Sequence, residues 1–562
     1  MRWTLKPKPK EEKIKNLAEV LNIPETIAYL LVQREIENYE EAESFFRPNL
    51  KDLHNPFLMK DMDKAVQRIE KAIAADENIL VYGDYDVDGT TSVALMADFL
   101  SDFSKNISTY IPDRYKEGYG ISYAGIDYAA ENNISLIIAL DCGIKAVEKV
   151  EYAKEKNIDF IICDHHQPDE KIPAAKAVLN PKRSDCNYPY KELCGCGVGF
   201  KLIQAFTENR KDSFEKLIPY LDLVVTAIGA DIVPITGENR ILAFHGLKVI
   251  NSNPRIGFQA IIKQVEKKEL NITDVVFIIA PRINAAGRMD HALKAVELLR
   301  EKNPLEAEKI AKEIEFFNTN RKSADKKITN EALAQIEKKE EENHFSTVVF
   351  HPEWHKGVIG IVASRLIETH YRPTLVFTKS GDFLTASARS VKGFNIYHAL
   401  ENCSEYIEQF GGHKYAAGLS IKKSNYENFK EKFEKVVSST IDKKLLKPEI
   451  SIDMKLDLEE ITPKFYRILK QFAPFGPGNM RPVFYSKNVK SYGFSKRIGR
   501  DKNHLKCSIK SANSNINFPA IGFNLGKKIN LIQQNNFEIA YSIEENTWKE
   551  KTIVQLNLRY LR

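Results

Sequence analysis

The stretch VYGDYDVDGTTS, residues 81–92, decides the fold class of this chain of 562 residues. A hydrophobic run is followed by three alternating aspartates, Asp84, Asp86 and Asp88, and then by a glycine and a helical stretch. Carboxylates this close repel one another unless divalent cations neutralise them, and oxygen ligands suit Mg²⁺ or Mn²⁺. A solvated acidic turn is the alternative. A calcium loop of the EF-hand type is disfavoured, because its twelfth position needs Glu and Leu95 stands there.

Two further β-rich runs end on candidate ligands. SLIIAL is followed by Asp141, and DFIIC is followed by Asp164, His165 and His166. Short β-rich runs that alternate with helical stretches are typical of a doubly wound parallel sheet. Ligands of such sheets lie at the carboxyl ends of the strands, so we expect these side chains to converge with the aspartates of the first stretch. Asp231 in AIGADIVP follows another apolar segment and is a further candidate.

The rest of the chain divides by its residue patterns. We predict five segments: a helical N-terminal cap over 1–75, the parallel-sheet domain over 76–303, a charged connecting helix without glycine over 304–343, a second α/β lobe over 344–445, and a small β-barrel over 446–562.

Composition indicates an ordinary folded protein, with 43% hydrophobic and 28% charged residues. The first residues, MRWTLKPKPKEEK, lack a following apolar region, and no apolar run approaches the roughly 18 residues of a membrane span, so we expect a cytoplasmic protein. The seven cysteines are an odd number and are expected to be reduced. Cys194 and Cys196 are assigned to small residues at a helix start rather than to zinc, because no second ligand pair accompanies them.

Basic residues are unevenly distributed. From Pro448 onwards the chain carries a net charge of +9, whereas the preceding residues carry −3. This excess favours a polyanion-binding C-terminal segment. Further basic elements resemble phosphate contacts: Arg114 in IPDRYKEGYG, Arg288 in PRINAAGR, and Arg389 with Ser387 in TASARS. Arginine binds two phosphate oxygens with its planar fork, although a surface ion pair is the alternative for any one of them.

The motifs VYGDYDVDGTTS, ALDCGI, CDHHQP and GADIVP together resemble those of the DHH phosphoesterase family, in the same order. The resemblance implies two Mn²⁺ or Mg²⁺ ions, with Asp141 and Asp231 as bridging ligands. The implied ligand set is Asp84, Asp86, Asp88, Asp141, His165 and Asp231. It also implies that His166 faces the scissile phosphate and that Asp164 orients the histidines. Family members with small substrates often begin the first motif with His, and Tyr82 stands there instead, which resembles the RecJ branch.

The C-terminal half resembles the same branch. FGGHKYAAGLS is similar to the glycine-rich signature of the DHH-associated domain, and PRINAAGR and SARS are similar to segments that hold a 5′-terminal phosphate. The implied 5′-end pocket consists of Arg114, Arg288, Ser387, Arg389, Gly411, Gly412 and His413. The basic tail resembles an oligonucleotide-binding (OB) fold, in which Phe484, Tyr485, Tyr492 and Phe494 either stack on bases or form the barrel core.

The resemblance implies a single-stranded-DNA-specific exonuclease that acts 5′ to 3′ by two-metal hydrolysis and releases 5′ mononucleotides in DNA repair and recombination. Two alternatives remain: a hydrolase of short oligonucleotides or a small phosphoester, and an inactive single-strand-binding scaffold. Expected partners are single-stranded DNA, a single-strand-binding protein and a helicase, with no membrane contact and a monomeric state. Residue spacing alone leaves open the polarity, DNA against RNA, and Mn²⁺ against Mg²⁺.

Overall fold

The computed structural model describes residues 1–265, 267–338, 341–512, 514–533, 536–549 and 551–562. They form two compact units. The large unit contains Trp3–Tyr110, Gly120–Ala280 and Glu449–Arg562, and the small unit contains Met1–Arg2, Ile111–Tyr119 and Pro281–Pro448. Among the described residues, no helix combines the length and the apolar character that crossing a membrane requires.

The helices and strands follow in chain order. The helices are α1 (Glu11–Leu21), α2 (Glu25–Val32), α3 (Tyr39–Phe46), α4 (Met62–Ala74), α5 (Val87–Ser101), α6 (Tyr123–Glu131), α7 (Val147–Glu155), α8 (Gly195–Asn209), α9 (Leu221–Ala230), α10 (Gly237–Ser252), α11 (Ile256–Ile262), α12 (Ile272–Asp274), α13 (Ala280–Met289), α14 (Leu293–Arg300), α15 (Pro304–Lys338), α16 (Ile359–His370), α17 (Ile396–Glu401), α18 (Tyr426–Thr440), α19 (Pro463–Lys470) and α20 (Ile529–Ile532). The strands are β1 (Arg2–Leu5), β2 (Asn78–Gly83), β3 (Ile107–Tyr110), β4 (Ile134–Leu140), β5 (Asp159–Cys163), β6 (Ala177–Leu179), β7 (Thr347–Phe350), β8 (Thr374–Ser380), β9 (Phe383–Arg389), β10 (Ile407–His413), β11 (Ala416–Lys422), β12 (Glu449–Ile452), β13 (Met454–Lys455), β14 (Phe484–Ser491), β15 (Lys496–Ile498), β16 (His504–Ser511), β17 (Asn517–Gly522), β18 (Phe537–Trp548) and β19 (Lys551–Leu561). A π-helical turn, Val275–Ile279, lies between α12 and α13.

The large unit contains the predicted parallel sheet. Its five strands have the order β3-β2-β4-β5-β6, and every neighbouring pair is parallel. Side chains on β4 alternate: Ile137 packs in the apolar cluster formed with α6 and α7, whereas Leu140 lies beside α8 and α5 on the other face. Burial on both faces explains why the strands are continuous apolar runs. The prediction of a doubly wound parallel sheet is confirmed.

The small unit contains a second, mixed sheet of order β10-β11-β9-β8-β7, in which β7 and β8 are parallel and the other pairs antiparallel. The predicted connecting helix corresponds to α15, which ends at Lys338; residues 339 and 340 lie outside the described residues. Its residues Ile328, Ala332 and Ile336 pack in an apolar cluster with β7 and α16. The long helix is therefore part of the core of the small unit.

The C-terminal strands form the predicted barrel. Seven strands have the order β13-β14-β18-β19-β17-β16-β15, and an additional pairing of β14 with β16 closes them. Helices α1 and α2 share their core with the C-terminal segment, because Ile27, Leu30 and Leu31 of α2 belong to one apolar cluster with Phe465 of α19 and Phe484 of β14. Helix α4, by contrast, packs against α8 and β6 of the parallel-sheet region.

Candidate functional site

Strand and helix ends bring four of the predicted ligands together, with three carboxylates around the imidazole of His165. Nε2 of His165 lies 3.2 Å from Oδ1 of Asp141, 3.6 Å from Oδ2 of Asp231 and 3.9 Å from Oδ2 of Asp88. These residues come from the ends of β4, β5 and α9 and from the first turn of α5, all in the large unit. Parallel strands end at the same edge of their sheet, which is why Asp141 and His165 meet here.

This cluster fits a divalent cation. Nε2 of His165 and Oδ1 of Asp141 are buried and have no hydrogen-bond partner among the described residues. Burial and the neighbouring carboxylates raise the pKa of Asp88 and of Asp141 well above the usual range, and burial with the charge of Asp86 raises the pKa of Asp231 to about 7. Packed acids of this kind are unfavourable until a cation compensates them. Carboxylate oxygens with one imidazole suit Mn²⁺ or Mg²⁺.

Asp84 and Asp86 lie next to this cluster. Asp84 directly follows β2 and is fully buried, and its Oδ1 accepts the N–H of Gly120 at 3.4 Å. Asp86 is half-buried and caps α5, because its Oδ1 accepts the N–H of Gly89 at 3.0 Å. Its negative charge contributes to the raised pKa of Asp88 and of Asp231. The alternating aspartates thus flank the beginning of α5.

The start of α8 supplies donors that the sequence did not reveal. The two carboxylate oxygens of Asp88 accept the N–H groups of Gly195 and Cys196, each at 2.7 Å. Gly195 also permits close packing, because a Cβ there would lie 2.5 Å from Cβ of Asp141. From its sequence, the LCGCGVGF stretch predicts only small residues at a helix start. Backbone donors carry no side-chain signature, so only the fold could identify them.

The second histidine of the DHH stretch is held by its neighbour. Oδ1 of Asp164 lies 2.7 Å from Nδ1 of His166 and also accepts the backbone N–H groups of both histidines. Burial alone would raise the pKa of Asp164, but the hydrogen bonds lower it to about 2. The same contact raises the pKa of His166 against the effect of burial. Burial lowers the pKa of His165 to about 3, so this imidazole is neutral and can offer a lone pair.

Two residues around this cluster clarify its boundaries. Tyr82 is buried, and its hydroxyl donates to the carbonyl of Gly120 at 2.9 Å and accepts the N–H of Ser122 at 3.1 Å. Its role here is therefore structural. Lys182 was not predicted: Asn180 donates to the carbonyl of His166 at 2.9 Å and accepts the N–H of Lys182 at 2.8 Å. The charge of Lys182 lowers the pKa values of His165 and Asp231, so this turn borders the cluster.

The small unit gathers the predicted phosphate-binding arginines. Burial and the charges of Arg114, Arg321 and Arg389 lower the pKa of Arg288 to about 10. Nη1 of Arg288 donates to the carbonyl of Gly357 at 2.8 Å. Arg321, on α15, was not predicted, because one arginine in a highly charged helix gives no signal. Cations crowded in this way favour a bound anion.

Four of the other predicted residues, Ser387, Arg389, Gly411 and His413, share one face of the second sheet. Ser387 is paired with Gly418 and through it with Gly411, and Arg389 is paired with Ala416 and through it with His413. Directly opposed residues of an antiparallel sheet point to the same side. The opposite face is apolar and buried. Helix α16 begins over this polar face, because a Cβ at Gly360 would lie 3.1 Å from Nη2 of Arg389 and 3.2 Å from Oγ of Ser387. Gly412 lies on β10 between Gly411 and His413.

The barrel exposes part of the predicted aromatic set. Phe484 is fully buried and belongs to the core, whereas Phe494 is 68% exposed and Tyr492 51% exposed. Nζ of Lys496 lies 5.2 Å from the ring centre of Phe494, and Nζ of Lys510 lies 5.4 Å from that of Tyr492. Exposed rings beside lysines are typical of surfaces that bind single strands.

Three family models match separate segments of the chain. The family model described as "DHH family, N-terminal domain" matches residues 78–228, "DHHA1 domain" matches residues 342–439, and "RecJ OB domain" matches residues 452–560. The matched segments correspond to the parallel sheet with its helices, the mixed sheet and the barrel.

Two individual relatives and one solved structure are named RecJ. The single-stranded-DNA-specific exonuclease RecJ of Bacillus subtilis (strain 168) is 35% identical over 564 residues, which covers 100% of this chain and 70% of that protein. The protein of the same name from Haemophilus influenzae is 31% identical over 551 residues and covers 94% of each chain. The crystal structure of RecJ in complex with Mn²⁺ from Thermus thermophilus has a TM-score of 0.85 at 25% identity, covering 100% of this chain and 79% of that one.

Proposed function

The chain belongs to the RecJ family of single-stranded-DNA-specific exonucleases, and we propose that it removes 5′ mononucleotides from single-stranded DNA in the 5′ to 3′ direction. The observation that carries the proposal is the buried group of Asp88, Asp141, His165 and Asp231, whose ligand atoms approach within 4 Å of one nitrogen. Such a group has no role in stabilising the fold by itself, because buried like charges repel. It suits divalent-metal hydrolysis of a phosphodiester.

Six residues of the large unit would hold two Mn²⁺ or Mg²⁺ ions: Asp84, Asp86, Asp88, Asp141, His165 and Asp231. When bound, such ions acidify water for in-line attack and neutralise charge on the phosphoryl oxygens. His166 keeps its proton at Nδ1 against Asp164 and turns Nε2–H to the scissile phosphate, where it donates a hydrogen bond as negative charge develops. The N–H groups of Gly195 and Cys196 orient the carboxylate of Asp88.

The polarity comes from the small unit. Arg114, Arg288 and Arg389 with Ser387 bind the 5′-terminal phosphate, and Gly411, Gly412 and His413 complete this pocket. The crowded arginines support this assignment, because burial and mutual repulsion lower the pKa of Arg288 and a doubly charged phosphate relieves that repulsion. The exposed Tyr492 and Phe494 stack on bases further along the strand.

End-labelled substrates test the proposal. Two single-stranded DNA oligomers, one labelled at each end, are digested with Mn²⁺ beside a duplex of the same sequence. We expect early release of labelled mononucleotide from the 5′ end, gradual shortening of the 3′-labelled strand, and an intact duplex.

The matched control is Asp141→Ala, which removes a carboxylate that lies 3.2 Å from His165. It should abolish product with either label. Binding without cleavage under every metal would contradict the proposal and favour an inactive scaffold. Preference for the shortest oligomers would favour a hydrolase of small substrates instead.

The cellular setting belongs to the proposal as well. The chain acts in the cytoplasm as a monomer in DNA repair and recombination, on single strands that a helicase unwinds and a single-strand-binding protein presents. Family membership supports the DNA substrate. Size-exclusion chromatography with light scattering tests the monomeric state, and stimulation of digestion by each added protein tests the two partners.

A further inference from the structure

Ile232 combines two unusual properties next to the metal-site carboxylate Asp231. Its φ is +60°, in the left-handed region, and its side chain is 66% exposed. β-Branched residues rarely adopt this conformation, because their side chains crowd the backbone. A large apolar side chain is thus held in solvent, in an unfavourable backbone conformation, one peptide bond from a predicted ligand.

The surroundings of Ile232 are ordered and packed. The preceding helix α9 is buried from Leu221 to Gly229, and the following Val233 and Ile235 are buried as well. The N–H of Ile235 donates to the carbonyl of Pro477 at 2.7 Å, and the carbonyl of Pro234 accepts from Asn239 at 3.0 Å. The backbone on both sides is fixed by these contacts, so the direction in which Ile232 projects is fixed too.

The fold itself does not require isoleucine at this position. The side chain buries little surface, so it adds little to the hydrophobic stabilisation of the large unit. Asparagine or glycine would adopt the left-handed conformation at a lower cost. Strained residues of this kind persist where the surrounding structure enforces them, and they cluster at functional sites.

We propose that Ile232 is a substrate contact, on which the nucleoside of the nucleotide at the scissile phosphate packs. The inference rests on the proposed function, since it assumes that a phosphodiester lies beside Asp231. A nuclease that removes every nucleotide in turn must bind each nucleotide regardless of its base. An apolar surface meets that need, because every sugar and base offers an apolar face.

Steady-state kinetics on a 5′-phosphorylated single strand test this contact. Ile232→Ala removes the side chain and keeps the part of the backbone strain that any Cβ causes, whereas Ile232→Asn removes the side chain and relieves more of the strain. We expect both variants to raise KM about fivefold to tenfold, as the loss of one apolar contact implies. Ile232→Asn should also unfold at a higher temperature than Ile232→Ala, because asparagine tolerates the left-handed region.

The matched control is Val20→Asn in α1, which changes another β-branched side chain of the large unit that is 54% exposed. It should leave KM unchanged. A strand with an abasic residue at its 5′ end distinguishes the base from the sugar: the difference between wild type and variants disappears if Ile232 contacts the base and persists if it contacts the sugar.

Wild-type KM in both Ile232 variants, while the wild type digests single strands, would overturn this inference and leave the proposed function intact. An inactive wild type would instead overturn the proposed function. Thermal unfolding of each variant is measured in parallel. If one variant does not fold, the KM of the other decides, since both lack the contacting side chain.

Discussion

At the scale of single residues, acids of one chemical type have different surroundings in the same site. Asp141 and His165 face each other with buried polar atoms that no hydrogen bond satisfies among the described residues. Each carboxylate oxygen of Asp88 accepts one backbone N–H group and keeps a lone pair for a metal, whereas Asp164 is hydrogen-bonded to His166. Each carboxylate therefore has a distinct dependence on the fold and on the metal.

Asn substitutions at Asp141 and at Asp88 should separate the contribution of each carboxylate to folding stability from its contribution to metal binding. Asp141→Asn removes a repelling charge, so the metal-free protein should be at least as stable as wild type. It should lose activity by about 10² to 10³-fold and lose the stabilisation by Mn²⁺, which is about 2.7 kcal/mol at 100 times Kd. Asp88→Asn should be inactive and also destabilised by about 1–3 kcal/mol, because one buried N–H loses its acceptor. Thermal unfolding with EDTA and with Mn²⁺ measures both, and equal stabilities of the two variants would contradict the assignment.

Two glycines in the first turn of α8 offer a steric test. A Cβ at Gly195 would lie 2.6 Å from Oδ1 of Asp141, whereas a Cβ at Gly197 would make only ordinary contacts of 3.4 Å or more. Gly195→Ala should displace Asp141 and reduce nuclease activity by more than about tenfold. Gly197→Ala should keep activity and gain up to about 1 kcal/mol from helix propensity. An active Gly195→Ala enzyme with normal metal affinity would show that Asp141 is not a ligand.

At the scale of elements, some site residues lie where strands end and others on an edge hairpin, whereas Asp88 and Asp231 lie at helix ends. The parallel strands β2 and β4 deliver Asp84 and Asp141 to one edge of their sheet. In the small unit, β10 and β11 continue the face that carries Ser387 and Arg389. The first arrangement follows from parallel topology, and the second from the register of an antiparallel hairpin.

The two adjacent glycines of β10 should respond differently to alanine. A Cβ at Gly412, whose φ is +142°, would lie 2.4 Å from the carbonyl oxygen of Ala416, whereas a Cβ at Gly411 would meet nothing within 4 Å. Gly412→Ala should therefore destabilise the hairpin by about 1–3 kcal/mol. Gly411→Ala should fold normally and reduce the preference for 5′-phosphorylated over 5′-hydroxyl strands, measured as a ratio of kcat/KM. An unchanged ratio would remove Gly411 from the 5′-end pocket.

At the scale of the molecule, the two ends of the chain depend on each other. Helices α1 and α2 bury their apolar residues in the same cluster as the C-terminal barrel, within the large unit. The barrel region also carries the excess of basic residues, with +9 from Pro448 onwards. One segment thus contributes both to the core and to the binding of a polyanion.

Truncation after Pro448 should expose Ile27, Leu30 and Leu31, which are fully buried in the intact chain. We expect a lower unfolding temperature and aggregation, because a contiguous apolar surface is left in water. The control is Phe494→Ala, which changes an exposed ring and should weaken single-strand binding without altering the unfolding temperature. A truncated chain that unfolds at the wild-type temperature would contradict the shared core.

The sequence by itself determined the parallel sheet, the second α/β lobe and the barrel, because each follows from the period of its apolar residues. It also indicated Asp84, Asp141 and His165 as candidate ligands, since they stand just after apolar strands, and the family resemblance implied the full ligand set. Only the tertiary structure decided that Gly195 and Cys196 bind Asp88, that Arg321 joins the arginine cluster, and that α2 packs with the barrel. These features depend on backbone donors and on residues far apart in the chain, which no local residue pattern encodes.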